Sequence, residues 1–264
     1  MQTRHNKLNS NQIQMLLLVF KYRYVTAALL ARHKGTNKSA ATKSLRILLE
    51  QEYIDRRYDN SYRLLGKSAS YCLTPKGIKV VKEDADKDEG ALRAIYKDRK
   101  ATDSFIEHNL SVMEALVQLK SLYGSHLMYF TRSQVMGFDI FPNPGPPLYM
   151  RESEPAENEE PKEYMLEIYT DTLAWIIRKR IDEYITHFDE EGWSKGRHYP
   201  TLLFVAPNKR IEKHLQKYVE TARDDAYIPD KDLIFMTTTV KDLFTRSNMF
   251  IWTNVTDLGG RCRL

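Results

Sequence analysis

Between Asn11 and Gly77 the apolar residues recur first at helical spacing and then at strand spacing. That change of period constrains the fold more tightly than any other feature of the chain. Ile13, Leu16, Leu17 and Phe20 form one helical stripe, with Ser10 ahead of it as N-cap. Thr26 caps a short second helix that turns Leu29 and Leu30 inward, and Gly35 closes it in the left-handed conformation. Ser39 is placed to cap a third helix, with Ala40, Leu45, Leu48 and Leu49 on its buried side. Tyr53–Tyr58 then reads as a strand, Asp59–Ser70 as a polar, basic connection and Tyr71–Thr74 as the returning strand. Thr74 and Pro75 open a further helix as cap and first helical residue. Three helices divided by short turns, followed by a hairpin, make a helix-turn-helix with a β-wing.

Charge separates this head from the rest. Residues 1–82 carry sixteen Lys/Arg against four Asp/Glu, a formal +12, whereas residues 83–264 carry twenty-four against thirty-one, or −7. A +12 module favours a polyanion through counterion release, and a −7 body resists one. On the third helix Lys38, Lys43 and Arg46, with Thr36, Asn37, Ser39 and Thr42, line the face that a helix of this kind presents to the major groove. The wing adds Arg56, Arg57, Arg63 and Lys67, long enough to reach backbone or minor groove. The expected partner is double-stranded DNA.

Two cysteines, Cys72 and Cys262, lie far apart with no CxxC, which argues against a disulfide framework or a structural zinc site. The apolar run Met15–Phe20 is too short for a membrane span or a signal core, so a cytoplasmic location with no membrane partner is expected. The second half alternates element types. Strands are expected at Leu127–Phe130, Phe138–Phe141, Tyr164–Tyr169, Thr201–Val205 and Leu233–Thr237, and helices at 104–122, Thr172–Phe188, Ile211–Ala222 and Val240–Thr245. Pro142–Pro161, rich in Pro and Glu, reads as a mobile loop, and Asp84–Lys100 as a linker helix or solvated face. The fold class is therefore an α+β winged helix followed by an α/β domain.

Tyr24–Ala31, Ser44–Leu48 and Tyr71–Gly77 resemble the pattern shared by winged-helix regulators. His108-Asn109-Leu110-Ser111-Val112 follows, then Phe138-Asp139-Ile140, Leu166–Thr172, Arg180 with Tyr184 on one helix, and Leu202-Leu203-Phe204-Val205. In this order, from the first helix to the strand near Phe235, the chain resembles the replication-relaxation family of plasmid and mobile-element proteins. The resemblance implies a role in plasmid replication, conjugative mobilisation or DNA relaxation, and a restriction-endonuclease-like core in the second domain. It divides the chain into a winged-helix domain at 1–88, a helical linker or dimerisation segment at 89–124 and an α/β nuclease-like domain at 125–264. A homodimer, and a relaxase or replication protein as partner, are in keeping with it. A transcription regulator with the same head is the alternative.

A metal-dependent endonuclease is a further alternative. In such a fold Asp139 and Glu167, on adjacent strands, would bind Mg²⁺, and a lysine beside them would position the attacking water. Here Tyr169 stands two positions after Glu167, where that lysine is usual, which leaves Lys179 on the following helix as the substitute. Arg180 is a poor one, because it does not give up a proton. The competing reading has Glu167 paired with a base on that helix, in which case no cofactor is required. Seven histidines are scattered without HExxH, and no GxxxxGK[ST] or GxGxxG is present. Tyr184 is the one candidate tyrosine nucleophile but lacks the His cluster such chemistry uses, while Trp175, Trp193 and Trp252 read as core and interface.

Overall fold

The computed structural model describes residues 8–84, 89–155, 159–194, 196–257 and 260–264. The first seven residues of the polar start, residues 85–88 of the charged stretch and residues 156–158 of the Pro/Glu-rich stretch lie outside the described residues. The chain divides into two compact units, Met1–Met113 and Glu114–Leu264.

In the first unit α1 (Ser10–Tyr22), α2 (Ala27–Lys34) and α3 (Lys38–Glu50) precede the hairpin β1 (Ile54–Arg57) and β2 (Ser70–Leu73). Thr26 caps α2 through Leu29 N, and Gly35 ends it at φ 62°, as the sequence requires. The other two caps differ from expectation. Asn9, not Ser10, caps α1 in a reciprocal box with Gln12, each backbone N–H donating to the other's side chain at 2.9 Å. Asn37, not Ser39, caps α3 by accepting from Ala40 N at 2.8 Å. The buried stripe is Ala41, Leu45 and Leu48, with Leu49 half-buried and Ala40, expected inside, exposed.

The hairpin is antiparallel, with Ile54 opposite Leu73 and Arg57 opposite Ser70. Val25 and Tyr71 exchange both backbone bonds, at 3.1 and 2.9 Å, which ties the hairpin to the turn between α1 and α2. The connection between the strands holds a short helix, α4 (Asn60–Leu64), that the sequence does not announce. After β2 come α5 (Pro75–Asp84), α6 (Glu89–Ile95), a 3₁₀ turn (Asp98–Lys100) and α7 (Asp103–Tyr123), whose first turns belong to this unit. Tyr24 Oη donates to Asp98 O at 2.5 Å, and the Arg23 guanidinium grips the Asp98 carboxylate and Ala94 O. Arg23 adopts φ 63°, uncommon for a side-chain-bearing residue, and this fork over-determines it. Burial pushes the Asp98 carboxyl above the usual range, and Arg23 draws it back.

The second unit is one six-stranded mixed sheet in chain order: β3 (Leu127–Thr131), β4 (Leu148–Glu152), β5 (Glu163–Ile168), β6 (Thr201–Ala206), β7 (Phe235–Thr239) and β8 (Thr253–Asn254). β3, β4 and β5 form an antiparallel meander, β5 to β7 run parallel, and β8 returns antiparallel. The helices are α8 (Arg132–Val135), α9 (Ala174–Asp189), α10 (Lys209–Asp225) and α11 (Val240–Thr245). Met165, Leu202, Phe204, Ala206 and Phe235 pack in one core with Ile177, Ile181 and Tyr184 of α9 and with Leu215 and Val219 of α10. The alternate residues Leu166, Ile168, Leu203 and Val205 are buried as well, so both faces of the central strands are covered.

Two strand assignments are corrected. Phe138–Phe141 is a succession of turns after α8, in which Phe138 N donates to Val135 O and Phe141 N to Phe138 O. The second strand is instead β4, inside the stretch read as a mobile loop. Pro142, Pro144, Pro146 and Pro147 have no N–H to offer a ladder, and pairing starts at the first apolar residue beyond them, Leu148. Among the described residues no helix is long and apolar enough to cross a membrane.

Gly77, in the first turn of α5, closes the base of the wing. A Cβ there would stand 2.1 Å from the Tyr53 carbonyl oxygen, a backbone atom that cannot swing aside. Gly77→Ala is expected to destabilise the first unit by about 1–3 kcal/mol, the range for overpacking a tight site. Urea denaturation followed by circular dichroism checks it, and an unchanged midpoint would refute this account of the junction.

Candidate nucleic-acid interface

The apolar phase of α3 fixes what its other side shows. With Ala41, Leu45 and Leu48 turned inward, Lys38, Ser39, Thr42, Lys43 and Arg46 fall together on the outer side. They line one open hollow of about 530 Å³. Thr42 Oγ1 donates to Lys38 O at 2.8 Å, which keeps its lone pairs outward as acceptors. Arg46 meets Glu50 at 3.6 Å, but both side chains are about two-thirds exposed, and such a pair constrains little. Among the described residues Lys38 and Lys43 form no ion pair. Thr36 and Asn37 are exposed and precede the helix, and Asn37 already uses Oδ1 for the cap. The structure thus gathers five of the seven residues expected on this face and sets two at its edge.

The four cations of the wing divide into two pairs. Arg57 Nη2 meets Asp103 Oδ1 at 3.3 Å, and Lys67 pairs with Glu107 one turn further along α7. Arg99 is held by Asp55 at 2.9 Å. Arg56 and Arg63 form no ion pair among the described residues; Arg56 lies over the Tyr58 ring at 5.9 Å, and Arg63 is exposed on α4. The acids of α7 were not part of the expected site, and only their spacing, i and i+4, signals one shared face.

The two residues read as a metal site lie in different surroundings. Asp139 is exposed in the turn after α8, away from any strand. Glu167 lies on the α9 side of β5 and is buried there. It accepts from Arg180 Nε at 2.7 Å and from Tyr184 Oη at 2.8 Å. Arg180 also donates to Glu183 at 2.9 Å and to Pro144 O at 2.7 Å. The α9 residue that reaches Glu167 is therefore Arg180; Lys179 is exposed, with Glu183 4.0 Å away. No group of three or more His, Cys, Asp or Glu side chains able to hold a metal occurs among the described residues. Tyr184 is fully enclosed, and burial pushes its hydroxyl well above the ordinary phenol range, which does not suit a nucleophile. Trp193 and Trp252 are in the core as expected, whereas Trp175 is exposed. Cys72 and Cys262 are free thiols.

Three helices, a capped turn ahead of the third and a two-stranded wing define a winged-helix protein. Residues 16–129 match the model of the replication-relaxation family. The matched stretch ends within β3, so the motifs around Asp139, Glu167 and Phe204 lie beyond it. Similar solved structures include a mutant of Lactococcus lactis ZitR in complex with DNA, at 30% identity, covering 45% of this chain and 80% of that one with a TM-score of 0.27. Wild-type Lactococcus lactis ZitR in complex with DNA matches at 29% identity, covering 44% and 78%, with a TM-score of 0.26. The Lactococcus lactis ZitR described as a zinc-responsive MarR family member matches at 30%, covering 45% and 76%, also at 0.26. No curated protein matches the chain.

Arg180 and Glu167 are respectively 8% and 5% exposed, so removal of Arg180 leaves a buried carboxylate without its counterion, whereas removal of Glu167 leaves Arg180 with Glu183. Arg180→Met is expected to cost about 3–5 kcal/mol, and the double variant Arg180→Met/Glu167→Gln clearly less, because no lone charge remains. Chemical denaturation of the three proteins measures both; equal losses in the single and double variants would mean that the pair is not what matters.

Proposed function

We propose that this chain is a sequence-specific, double-stranded-DNA-binding accessory protein of a plasmid or other mobile element, acting in replication initiation, DNA relaxation or conjugative mobilisation. The observation that carries the reading is the outer face of α3, where three cations and two hydroxyls meet on the side opposite a buried apolar stripe. Lys and Arg there suit phosphate and the guanine edge, and Ser and Thr suit phosphate or either base edge. The family match over residues 16–129 supports the replication or transfer context. The anionic second unit then serves to pair two copies or to recruit a relaxase or replication protein at the bound site.

Salt dependence tests the grip. Each phosphate contact adds about 0.9 to the slope of log affinity against log salt. Lys43→Ala/Arg46→Ala is expected to flatten that slope by up to about two and to weaken binding. Asp103→Asn/Glu107→Gln, which frees Arg57 and Lys67, is expected to steepen it and to strengthen binding. Titration of both variants against duplex DNA at several salt concentrations gives the answer; two unchanged slopes would remove α3 and the wing as the DNA-binding surface.

We further propose that the second unit is a nuclease-like scaffold without cleavage activity. The antiparallel meander β3–β4–β5, followed by α9 and the parallel β6, supports the scaffold, and the engagement of Glu167 by Arg180 supports the loss of activity. Supercoiled plasmid incubated with the protein and Mg²⁺ or Mn²⁺ is expected to stay intact. Cleavage abolished by Glu167→Ala would overturn this part and leave the DNA-binding reading standing.

A further inference from the structure

The wing tip carries a feature that phosphate binding does not use. Leu64 is 87% exposed and its neighbour Leu65 is 67% exposed, at the end of α4. Two adjacent exposed leucines forgo the gain of burial, and here they stand at the end of a helical turn that is capped at both ends. Asp59 caps the start of α4, its Oδ1 accepting from Ser61 N at 2.9 Å and Tyr62 N at 3.2 Å. Gly66, at φ 63°, closes the other end: its N–H donates to Arg63 O at 3.2 Å, and Lys67 N donates to Tyr62 O at 2.8 Å. That is the paired closure of a Schellman motif, in which glycine takes the left-handed position without a Cβ penalty. Tyr62 anchors the turn from below, buried and donating its hydroxyl to Asp103 at 3.3 Å. At about 100° per residue, Leu64 then projects from the side of α4 opposite Tyr62.

Charge indicates what covers the pair. Arg63 lies between Tyr62 and Leu64 in sequence and is exposed, and Arg56 stands over Tyr58, whose ring centroid is 6.4 Å from that of Tyr62. An apolar pair that directly follows an exposed arginine, Arg63, with no ion pair among the described residues suits a partner that offers phosphates around an apolar slot, and is poorly suited to an apolar protein surface. An unstacked base step in the minor groove is such a slot, and apolar wedges beside Arg or Lys open it.

We infer that Leu64 and Leu65 form a wedge that enters the minor groove beside the site gripped by α3 and bends the duplex. The inference rests on the DNA-binding reading of the first unit. The test uses the full chain and a duplex selected by it from a random pool, labelled at both ends for energy transfer and carrying 2-aminopurine at successive steps. Wild-type protein at saturation is expected to bend the duplex by roughly 20–90° and to raise the 2-aminopurine signal at one step. Leu64→Ala/Leu65→Ala is expected to lose both signals while keeping the salt slope, and Lys43→Ala/Arg46→Ala to lose affinity and slope. A wild-type complex with straight DNA, or an Ala/Ala variant that bends it equally, overturns the wedge without touching the α3 reading. Failure to select any duplex overturns both. A wild-type dimer that the Ala/Ala variant splits in sedimentation would assign the leucines to a second copy and also overturn the wedge. Both leucines are exposed, so thermal unfolding of the Ala/Ala variant is expected to match wild type and shows that the comparison is between folded proteins.

Discussion

Burial of Ala41, Leu45 and Leu48 beneath α3 is the constraint on which the first unit depends. Each leucine removed from water contributes about 1.5–3 kcal/mol, far more than any exposed ion pair on that helix. Rotation about the helix axis is therefore set by the apolar side, and the cations take the positions that remain. Asn37 and Gly35 add a fixed entry angle, since a cap and a left-handed turn leave the chain little choice of direction. The Val25–Tyr71 backbone pair then fixes where the hairpin stands relative to the helices. The basic surface is thus a by-product of hydrophobic phase, which is why a few apolar positions specify it.

Much of this was legible from residue spacing, and the failures have identifiable causes. The three helices, the two wing strands and the caps Thr26 and Gly35 follow from periodicity and turn chemistry alone. The caps at Asn9 and Asn37 were misplaced because several polar residues stand in a row at each site, and propensity does not rank an Asn over a Ser two positions on. β4 was hidden by its proline-rich approach, and Phe138–Phe141 carries strand-like residues on turns. Glu167 was recognised as important, with a helical base as one of two partners. The choice between that base and a metal needed the third dimension, because Lys179 and Arg180 are neighbours in sequence but face opposite surroundings.

The wing shows that formal charge and available charge are different quantities. Residues 1–82 carry a formal +12, yet Arg57 and Lys67 are answered by carboxylates of α7 that lie outside that count. These pairs hold the hairpin against α7 and, with Tyr62 on Asp103, give the wing its floor. On the proposed reading, a polyanion would meet Arg56, Arg63 and the α3 face first, with the α7 carboxylates as internal competitors for the remaining cations.

The embrace of Glu167 by Arg180 and Tyr184 also bears on how such a chain can change over generations. Any lineage that replaces the arginine alone strands a carboxylate in the core, whereas one that replaces the acid alone leaves the guanidinium with Glu183 as its remaining carboxylate. The two single steps are therefore unequal, and loss of the arginine first is the costlier one. Across descendants, a change at position 180 should therefore come with or after a change at position 167, not before it.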